Sequence, residues 1–226
     1  MKKKNTKTIL SAFGALAAFA LWTFLIRCVD VQPIGPNGSR VGFAAINGAF
    51  HALTGVHWAL YTLTDWLGLV PIGIALGFAV LGLVQLIRRK SLLKVDRDIL
   101  ILGSFYIVVL AAYLLFETVV INFRPVLIDG KLEASYPSST TMLALCILPT
   151  AMMQLKTRIR SDAVRRAILG ILAAFTVFMV VGRLISGVHW LTDIIGGVLL
   201  SVGLLCYMRS LRKGKESREI ILPTQY

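Results

Sequence analysis

The chain has 226 residues, of which 57% are hydrophobic and 15% charged, and its mean hydropathy is +0.77. This composition excludes an ordinary soluble domain of that length and indicates a protein that folds in a lipid bilayer, with membrane lipids as its surroundings. The formal net charge is +13. The basic residues lie between long apolar runs instead of along one face, so binding to nucleic acid is not expected.

Six apolar runs approach the length of about 20 residues that a helix needs to cross the hydrocarbon core of a bilayer. They predict an all-α polytopic membrane protein, a six-transmembrane-helix bundle that occupies residues 1–226 as a single domain. The fourth run is short because polar residues precede it. The predicted spans are Thr8–Ile26, Leu67–Ile87, Ile99–Ile121, Thr140–Leu155, Ala167–Ile185 and Trp190–Met208.

The basic residues also predict an orientation. With a cytoplasmic N-terminus, the segments 1–7, 88–98, 156–166 and 209–226 hold 4, 5, 5 and 5 Lys or Arg, which is 19 of the 24 in the chain. Short basic loops resist translocation, so we expect a multi-pass plasma-membrane protein, of bacterial origin, with both termini in the cytoplasm. The first run is longer than a signal-peptide core and no cleavage motif precedes Cys28, so a retained helix is expected.

The longest outward segment, residues 27–66, is predicted to lie at the membrane interface as a lid or an access surface. Its second half is expected to be helical, with an interruption at Asn47-Gly48. It contains His51 and His57, whose spacing of six puts them on different helix faces. No Cys or carboxylate pattern completes a metal site, so packing is the expected role of both. Asp65 is expected at a helix end and not as a proton carrier.

One short sequence occurs twice in similar form. Residues 54–58 read Thr-Gly-Val-His-Trp, and residues 186–190 read Ser-Gly-Val-His-Trp. A Leu-Thr-Asp sequence follows both, after four residues in the first case and directly in the second. Because the spacing differs, we interpret the similarity as chance or shared interfacial chemistry and not as a repeat.

The last two outward segments carry residues suited to phosphate chemistry. His189 and Asp193 are four apart at the start of a predicted helix and share a face. Asp193 is expected to accept a hydrogen bond from one ring nitrogen, which leaves the other free to attack as a nucleophile. Taken alone, a His-x-x-x-Asp pair favours a helix-stabilising contact without chemistry.

Arginines and hydroxyl groups on the same side change that interpretation. Arg124 and Arg183 offer forked donors that match phosphate oxygens. Ser138, Ser139 and Thr140 lie at the N-terminus of the fourth span, where free backbone N–H groups and the helix dipole favour an anion. Together these residues predict a phosphate cradle that faces a histidine.

In their order, these motifs resemble the three signature motifs of the type 2 phosphatidic acid phosphatase superfamily. The matching residues are Arg124-Pro125, Pro137-Ser138, and Arg183 with His189 and Asp193. The resemblance covers about residues 99–208 by motif and implies a metal-independent, cofactor-free hydrolase that acts on a lipid phosphate or diphosphate. It implies that His189 is transiently phosphorylated and that Asp193 orients it. The phosphate would be held by Arg124, Arg183, Ser138 and the backbone of Ser139.

Four residues, in three places, depart from the family's pattern. Glu117 replaces a lysine seven residues before the first-motif arginine, Ser139-Thr140 replaces Gly-His, and Gly182 replaces a serine. In the family, the histidine of Gly-His protonates the leaving oxygen, so the acid half of the site is altered. Glu117 and Thr140 are the candidate altered acid or modulators. Either Glu117 donates a proton, or it pairs with one of the two arginines, which we consider the better interpretation.

Three functions remain open after these departures. A phosphate leaves with less help from an acid than an alkoxide does, so a polyprenyl or other lipid diphosphate is expected to react better than a monophosphate. A protein that binds or transports lipid phosphates, and a lipid phosphotransferase, are the alternatives. The lipid chain and the oligomeric state stay open.

Overall fold

The structure is a computed structural model that describes residues 2–219, with side chains described for residues 6–212. Regular secondary structure in this part is helical. The helices are α1 (Lys2–Cys28), α2 (Ala44–Thr54), α3 (Trp58–Leu67), α4 (Leu69–Arg89), α5 (Arg97–Thr118), α6 (Ser139–Arg158), α7 (Asp162–Ile185) and α8 (Leu191–Glu219). Two single turns of 3-10 helix lie at Pro36–Gly38 and Leu92–Lys94.

The prediction of an all-α, polytopic membrane protein is confirmed. Each predicted span overlaps one of the six long helices α1, α4, α5, α6, α7 and α8. Within the described part, five segments are long and apolar enough to cross a membrane, and they contain all of these helices except α6. Helix α6 contacts α4, α5, α7 and α8, so many of its side chains face protein instead of lipid. A helix in this position does not require an apolar surface all round, which explains its low hydropathy.

The segment before α4, which was predicted to face outward, contains two short helices, α2 and α3. They are separated at Gly55, whose φ of +66° ends α2, whereas Asn47-Gly48 lies inside α2. The expected interruption at Asn47-Gly48 is therefore wrong. Asn47 is buried and makes hydrogen bonds to α8, so its polar side chain serves a long-range contact and not a turn.

Helix α1 packs along α8. Trp22 of α1 donates its indole N–H to the carbonyl oxygen of Thr192 at 3.2 Å. Farther along α8, a Cβ atom at Gly203 would come within 2.7 Å of Leu16, so the absence of a side chain there permits the close approach. These contacts make α1 part of the packed bundle.

The basic links at residues 88–98 and 156–166 meet at one end of the bundle. Asp96 lies 3.0 Å from Arg89 and 3.6 Å from Arg158. Asp98 lies 3.2 Å from Arg212 at the same end. The candidate phosphate-binding residues lie at the opposite end, where α5 and α7 finish and where α6 and α8 begin.

Candidate active site

His189 lies in the short loop between α7 and α8 and is 3% exposed. The loop turns at Gly187, whose φ is +71°, and a Cβ atom there would lie 1.8 Å from the carbonyl oxygen of Gly55. Both constraints require glycine. After the histidine, Trp190 donates its indole N–H to the carbonyl oxygen of Phe123 at 2.8 Å. His189 therefore lies between Gly187 and Trp190, and contacts with other parts of the chain fix the position of each.

Ser135 connects His189 to Asp193. Its Oγ lies 3.1 Å from Nδ1 of His189, and its hydroxyl donates a hydrogen bond to Oδ2 of Asp193. The direct distance from Nδ1 to Oδ2 is 3.9 Å, which is too long for a hydrogen bond. The expected direct bond between His189 and Asp193 is therefore wrong, because a serine hydroxyl lies between them. Since that hydroxyl hydrogen points to Asp193, Nδ1 carries a hydrogen and Nε2 carries the lone pair.

Two further donors hold the buried Asp193 carboxylate. The backbone N–H of Trp190 donates to Oδ2 at 2.9 Å, and the side-chain amide of Asn122 donates to Oδ1 at 3.3 Å. A buried charge is stable only when such partners replace water. Together with Ser135, the Trp190 N–H and the Asn122 amide fix the Asp193 carboxylate in one orientation.

The loop between α5 and α6 positions Ser135. The backbone N–H of Ser135 donates to the carbonyl oxygen of Asn122 at 2.9 Å, and Phe123 and Ala134 form an antiparallel bridge. This pairing brings the segment before α6 beside the segment after α5. Ser135 was not predicted as a site residue, because this pairing is long-range and leaves no periodic pattern in the sequence.

Both candidate arginines point at Nε2 of His189. Nη1 of Arg124 lies 3.2 Å from Nε2, and Nη2 of Arg183 lies 3.4 Å from it. The two arginines are buried, with exposures of 8% and 1%. Guanidinium groups can only donate, so their approach agrees with a lone pair on Nε2. Donors that converge on a nucleophilic atom are placed to bind the oxygens of a phosphoryl group that reacts there.

The electrostatic surroundings keep His189 neutral. Burial lowers its pKa well below the usual range, and the positive charges of Arg124 and Arg183 lower it further, whereas a hydrogen bond with the backbone of Ser135 acts in the opposite direction. The imidazole is therefore uncharged at neutral pH. This is the protonation state in which Nε2 can attack.

Each arginine has its own carboxylate partner. Arg124 lies 3.1 Å from Glu133, and Arg183 lies 3.4 Å from Asp65. The expected pairing of Glu117 with one of these arginines is therefore wrong. Glu133 is the partner of Arg124 because their loop segments are paired. The backbone N–H of Arg124 donates to the backbone carbonyl oxygen of Glu133 at 3.0 Å, which brings the Glu133 side chain close to the Arg124 side chain.

Glu117 instead lines a cleft that ends at His189. The cleft lies between the last turns of α5, the segment 134–137 and the start of α6. Its lining combines large side chains with polar groups. The large side chains include Tyr113, Phe116 and Met142, and the polar groups include Glu117, Ser139 and His189.

The start of α6 contributes the remaining predicted residues. Ser138 is fully buried, its N–H donates to the carbonyl oxygen of Asp193 at 3.1 Å, and its Oγ has no partner among the described residues. Nε of Arg183 is likewise buried without a partner in the described part. Buried polar atoms of this kind are rare and suit a polar ligand. Thr140 faces the junction of α3 and α4, where a Cβ atom at Gly68 would lie 3.4 Å from its methyl group.

The α2–α3 segment (residues 44–67) packs on the site and contributes two residues that were not predicted to belong to the site. Tyr61 places its ring beside both arginines, and Asp65 pairs with Arg183. The backbone N–H of His57 donates to the carbonyl oxygen of Ser186 at 3.0 Å. The two similar sequences at 54–58 and 186–190 therefore lie against each other. Their similarity was the available signal that these segments meet.

The two other histidines make packing contacts. The His51 ring lies 5.6 Å from the Trp190 ring, and Nε2 of His57 lies 2.9 Å from the carbonyl oxygen of Thr54. In the described part of the chain, no group of three or more His, Cys, Asp or Glu side chains is placed to bind a metal ion.

Comparison with known proteins places this geometry in context. The family model of the PAP2 superfamily matches residues 105–216, about half of the chain and the part that contains the three motifs. Among solved structures, the chain is similar to one described as the first transmembrane PAP2 type phosphatidylglycerolphosphate phosphatase from Bacillus subtilis. The identity is 23%, over 95% of this chain and 99% of that chain, with a TM-score of 0.51, which shows a shared fold. A comparison with curated proteins gives no match.

Proposed function

Since the chain belongs to the PAP2 superfamily, whose members are phosphatases, we propose that it hydrolyses a lipid phosphate or diphosphate through a phosphohistidine on His189. The observation that carries the proposal is the convergence of Arg124 and Arg183 on Nε2 of a buried, neutral histidine. The cleft supports a lipid substrate, because a lining that contains both apolar and polar side chains next to His189 suits a molecule with one polar and one apolar end.

The proposed reaction has two steps. Nε2 of His189 attacks the phosphorus atom, the bond to the leaving oxygen breaks, and a lipid alcohol or a lipid monophosphate departs. Water then attacks the phosphohistidine, which releases inorganic phosphate and restores Nε2. In both steps Arg124 and Arg183 stabilise the charge on the equatorial phosphoryl oxygens. The chain from Nδ1 through Ser135 to Asp193 stabilises the positive charge that the ring gains when Nε2 forms its bond.

We propose that Glu117 supplies the proton to an alkoxide leaving group. It lines the same cleft as His189, and the arginines pair with other carboxylates. A general acid contributes about 10²- to 10⁴-fold when the leaving group is poor, and less when a phosphate leaves. Since a leaving phosphate does not depend on that proton, we expect diphosphates to react faster than monophosphates of the same chain. Faster turnover of the monophosphates by the wild type would refute this preference.

Glu117→Gln tests the acid role separately. The variant is expected to lose activity toward monophosphates and to keep most of its activity toward diphosphates, because only the first reaction forms an alkoxide. Unchanged turnover and an unchanged pH profile with monophosphates would exclude Glu117 as the acid.

The central experiment measures phosphate release from lipid mono- and diphosphates by the full chain in liposomes. Wild type is expected to release phosphate, and His189→Ala is expected to abolish release. His57→Ala is a matched control, because that histidine is exposed and its ring hydrogen-bonds only to the nearby Thr54 carbonyl. Movement of lipid phosphate between leaflets without release would support transport instead. Transfer to an added acceptor lipid would support a phosphotransferase.

We further propose that the site faces outward from the plasma membrane. The basic links meet at the end of the bundle opposite the site, and basic loops favour the cytoplasm. Cys28 is exposed near the site end and offers a direct test. A thiol reagent that cannot cross the membrane is expected to label Cys28 in intact cells. Labelling that requires broken cells would refute the orientation.

A further inference from the structure

Helix α3 lies outside residues 105–216, which match the family model, yet it contacts both arginines of the site. The Tyr61 ring centroid lies 4.9 Å from Cζ of Arg183 and 6.0 Å from Cζ of Arg124. Asp65, four residues later on the same face, lies 3.4 Å from Nη1 of Arg183. A helix that belongs to no signature motif therefore contributes to the phosphate site.

The position of α3 does not depend on these arginine contacts alone. The backbone N–H of His57, just before α3, donates to Ser186 in the loop that precedes the nucleophile. Asn47 of α2 donates to Oγ1 of Thr192 at 3.0 Å and accepts from its N–H at 3.2 Å. These bonds hold the α2–α3 segment on both sides of the nucleophile loop. They place Tyr61 at a fixed point relative to that loop.

The two arginines face an electrostatic difficulty that an aromatic ring can relieve. Their guanidinium groups carry like charges and approach the same uncharged nitrogen, so they repel each other. A carboxylate between them would compete with a phosphate for their donors. An aromatic face attracts cations through its quadrupole and carries no net charge, so it holds both groups and leaves their forked donors for the ligand.

We propose that Tyr61 is a positioning residue that sets the affinity of the site for a phosphate group. Its ring holds Arg124 and Arg183 at the angle from which both reach Nε2 of His189. The role of Asp65 is smaller, because it contacts one arginine and its side chain is 57% exposed to screening. This inference rests on the proposed function of the same site.

The test compares Tyr61→Leu with Tyr61→Phe. Orthovanadate, a tetrahedral oxyanion, serves as the probe, and its binding to the purified full chain is measured by calorimetry without any turnover. Tyr61→Leu is expected to weaken vanadate binding about 5- to 30-fold, because it removes the ring from two cations. Tyr61→Phe keeps the ring and is expected to restore binding to within about threefold of wild type.

Turnover gives an independent readout. Because the arginines bind the phosphate before and during the reaction, Tyr61→Leu is expected to raise KM by the same factor, with kcat within about threefold of wild type. Trp66→Leu is the matched control, since Trp66 is an aromatic residue of the same helix that is 70% exposed. It is expected to bind vanadate as wild type does.

Several outcomes would overturn the role of Tyr61. Wild-type affinity in Tyr61→Leu would do so, and so would equal weakening in the Phe and Leu variants, which would assign the effect to the hydroxyl. If Tyr61→Leu fails to fold, as judged by thermal unfolding, Tyr61→Met removes the ring with a more flexible side chain. Vanadate binding without phosphate release by wild type would refute hydrolysis but leave this test intact. No vanadate binding by wild type would overturn both proposals.

Discussion

Replacement of Ser135 by alanine tests how His189, the proposed nucleophile, is oriented. The variant removes the hydroxyl that accepts from Nδ1 of His189 and donates to Asp193. The direct gap from Nδ1 to the carboxylate is 3.9 Å. Trp190 and Asn122 continue to hold the carboxylate, so it cannot move to close that gap. The histidine then loses its connection to Asp193, while the carboxylate stays paired.

The expected loss follows from the two hydrogen bonds. A hydrogen bond that involves a charged group is worth about 1.5–3 kcal/mol. If that energy is lost only when the ring gains positive charge in the transition state, kcat falls about 10- to 150-fold, and KM changes little. The fold is expected to persist, because the remaining donors to Asp193 satisfy its buried charge.

The assay is phosphate release from a lipid diphosphate under saturating conditions, with kcat and KM measured for each variant. Ser104→Ala is the control, because Ser104 is exposed on α5 and its hydroxyl donates to Ile101 of the same helix at 2.9 Å. Asp193→Asn and the double variant with Ser135→Ala complete a cycle. If the serine acts through the aspartate, the double variant is expected to be no slower than Asp193→Asn by more than about threefold.

Two results would refute this reasoning. Retention of activity within about threefold in Ser135→Ala would show that the hydroxyl does not connect the two groups. Fully multiplicative losses in the double variant would show that serine and aspartate act independently.

Three further predictions follow from other contacts. Because its pKa is lowered, His189 is expected to stay neutral as pH falls through about 6.5, where a histidine in the unfolded chain takes up a proton. The free energy of unfolding should therefore fall below that pH. Nuclear magnetic resonance of the three histidines as a function of pH checks whether the His189 ring stays neutral. Gly187→Ala combines a left-handed φ with a Cβ atom 1.8 Å from the carbonyl oxygen of Gly55. Gly130→Ala has a left-handed φ but nothing within 4 Å of the added Cβ, so it should lower the free energy of unfolding by the backbone strain alone, about 1–2 kcal/mol. Gly187→Ala should lower it by more than that. Asn47→Ala removes the bonds to the start of α8 and should lower stability by about 1–3 kcal/mol in thermal unfolding.

The helices could be predicted from the sequence because bilayer thickness sets their length. The same rule was least certain for α6, whose residues pack against four other helices and therefore need not be apolar. The break at Gly55 was missed because glycine acts there through a positive φ and a close contact with Gly187, and both depend on a distant segment.

The structure brings together the four charged or titratable residues of the motifs. Arg124, Arg183, His189 and Asp193 meet because their loops lie at one end of the bundle and each motif fixes its own spacing. Ser135 was not predicted, because its role depends on the pairing of two loop segments and on a distance of 3.9 Å between Nδ1 of His189 and Oδ2 of Asp193, which is too long for a direct hydrogen bond.

The contribution of α3 to the site could not be predicted from the sequence, for a different reason. Tyr61 lies 63 residues before Arg124 and 122 before Arg183, and nothing in its local sequence distinguishes it from an aromatic residue at the membrane interface. Only the three-dimensional packing of the α2–α3 segment brings its ring to the arginines. Similarly, Glu133 and not Glu117 pairs with Arg124, because the backbone pairing of the loop segments determines which carboxylate is close to that arginine.

The contact between α1 and α8 has a consequence for biosynthesis. Membrane helices are made in chain order, so α1 is complete long before α8, and the bond from Trp22 to Thr192 joins residues 170 positions apart. The segment that follows His189 is therefore anchored by a helix made long before it. A nascent chain that has not yet inserted α8 lacks this contact, so the candidate site is complete only after α8 has been made and has packed against α1.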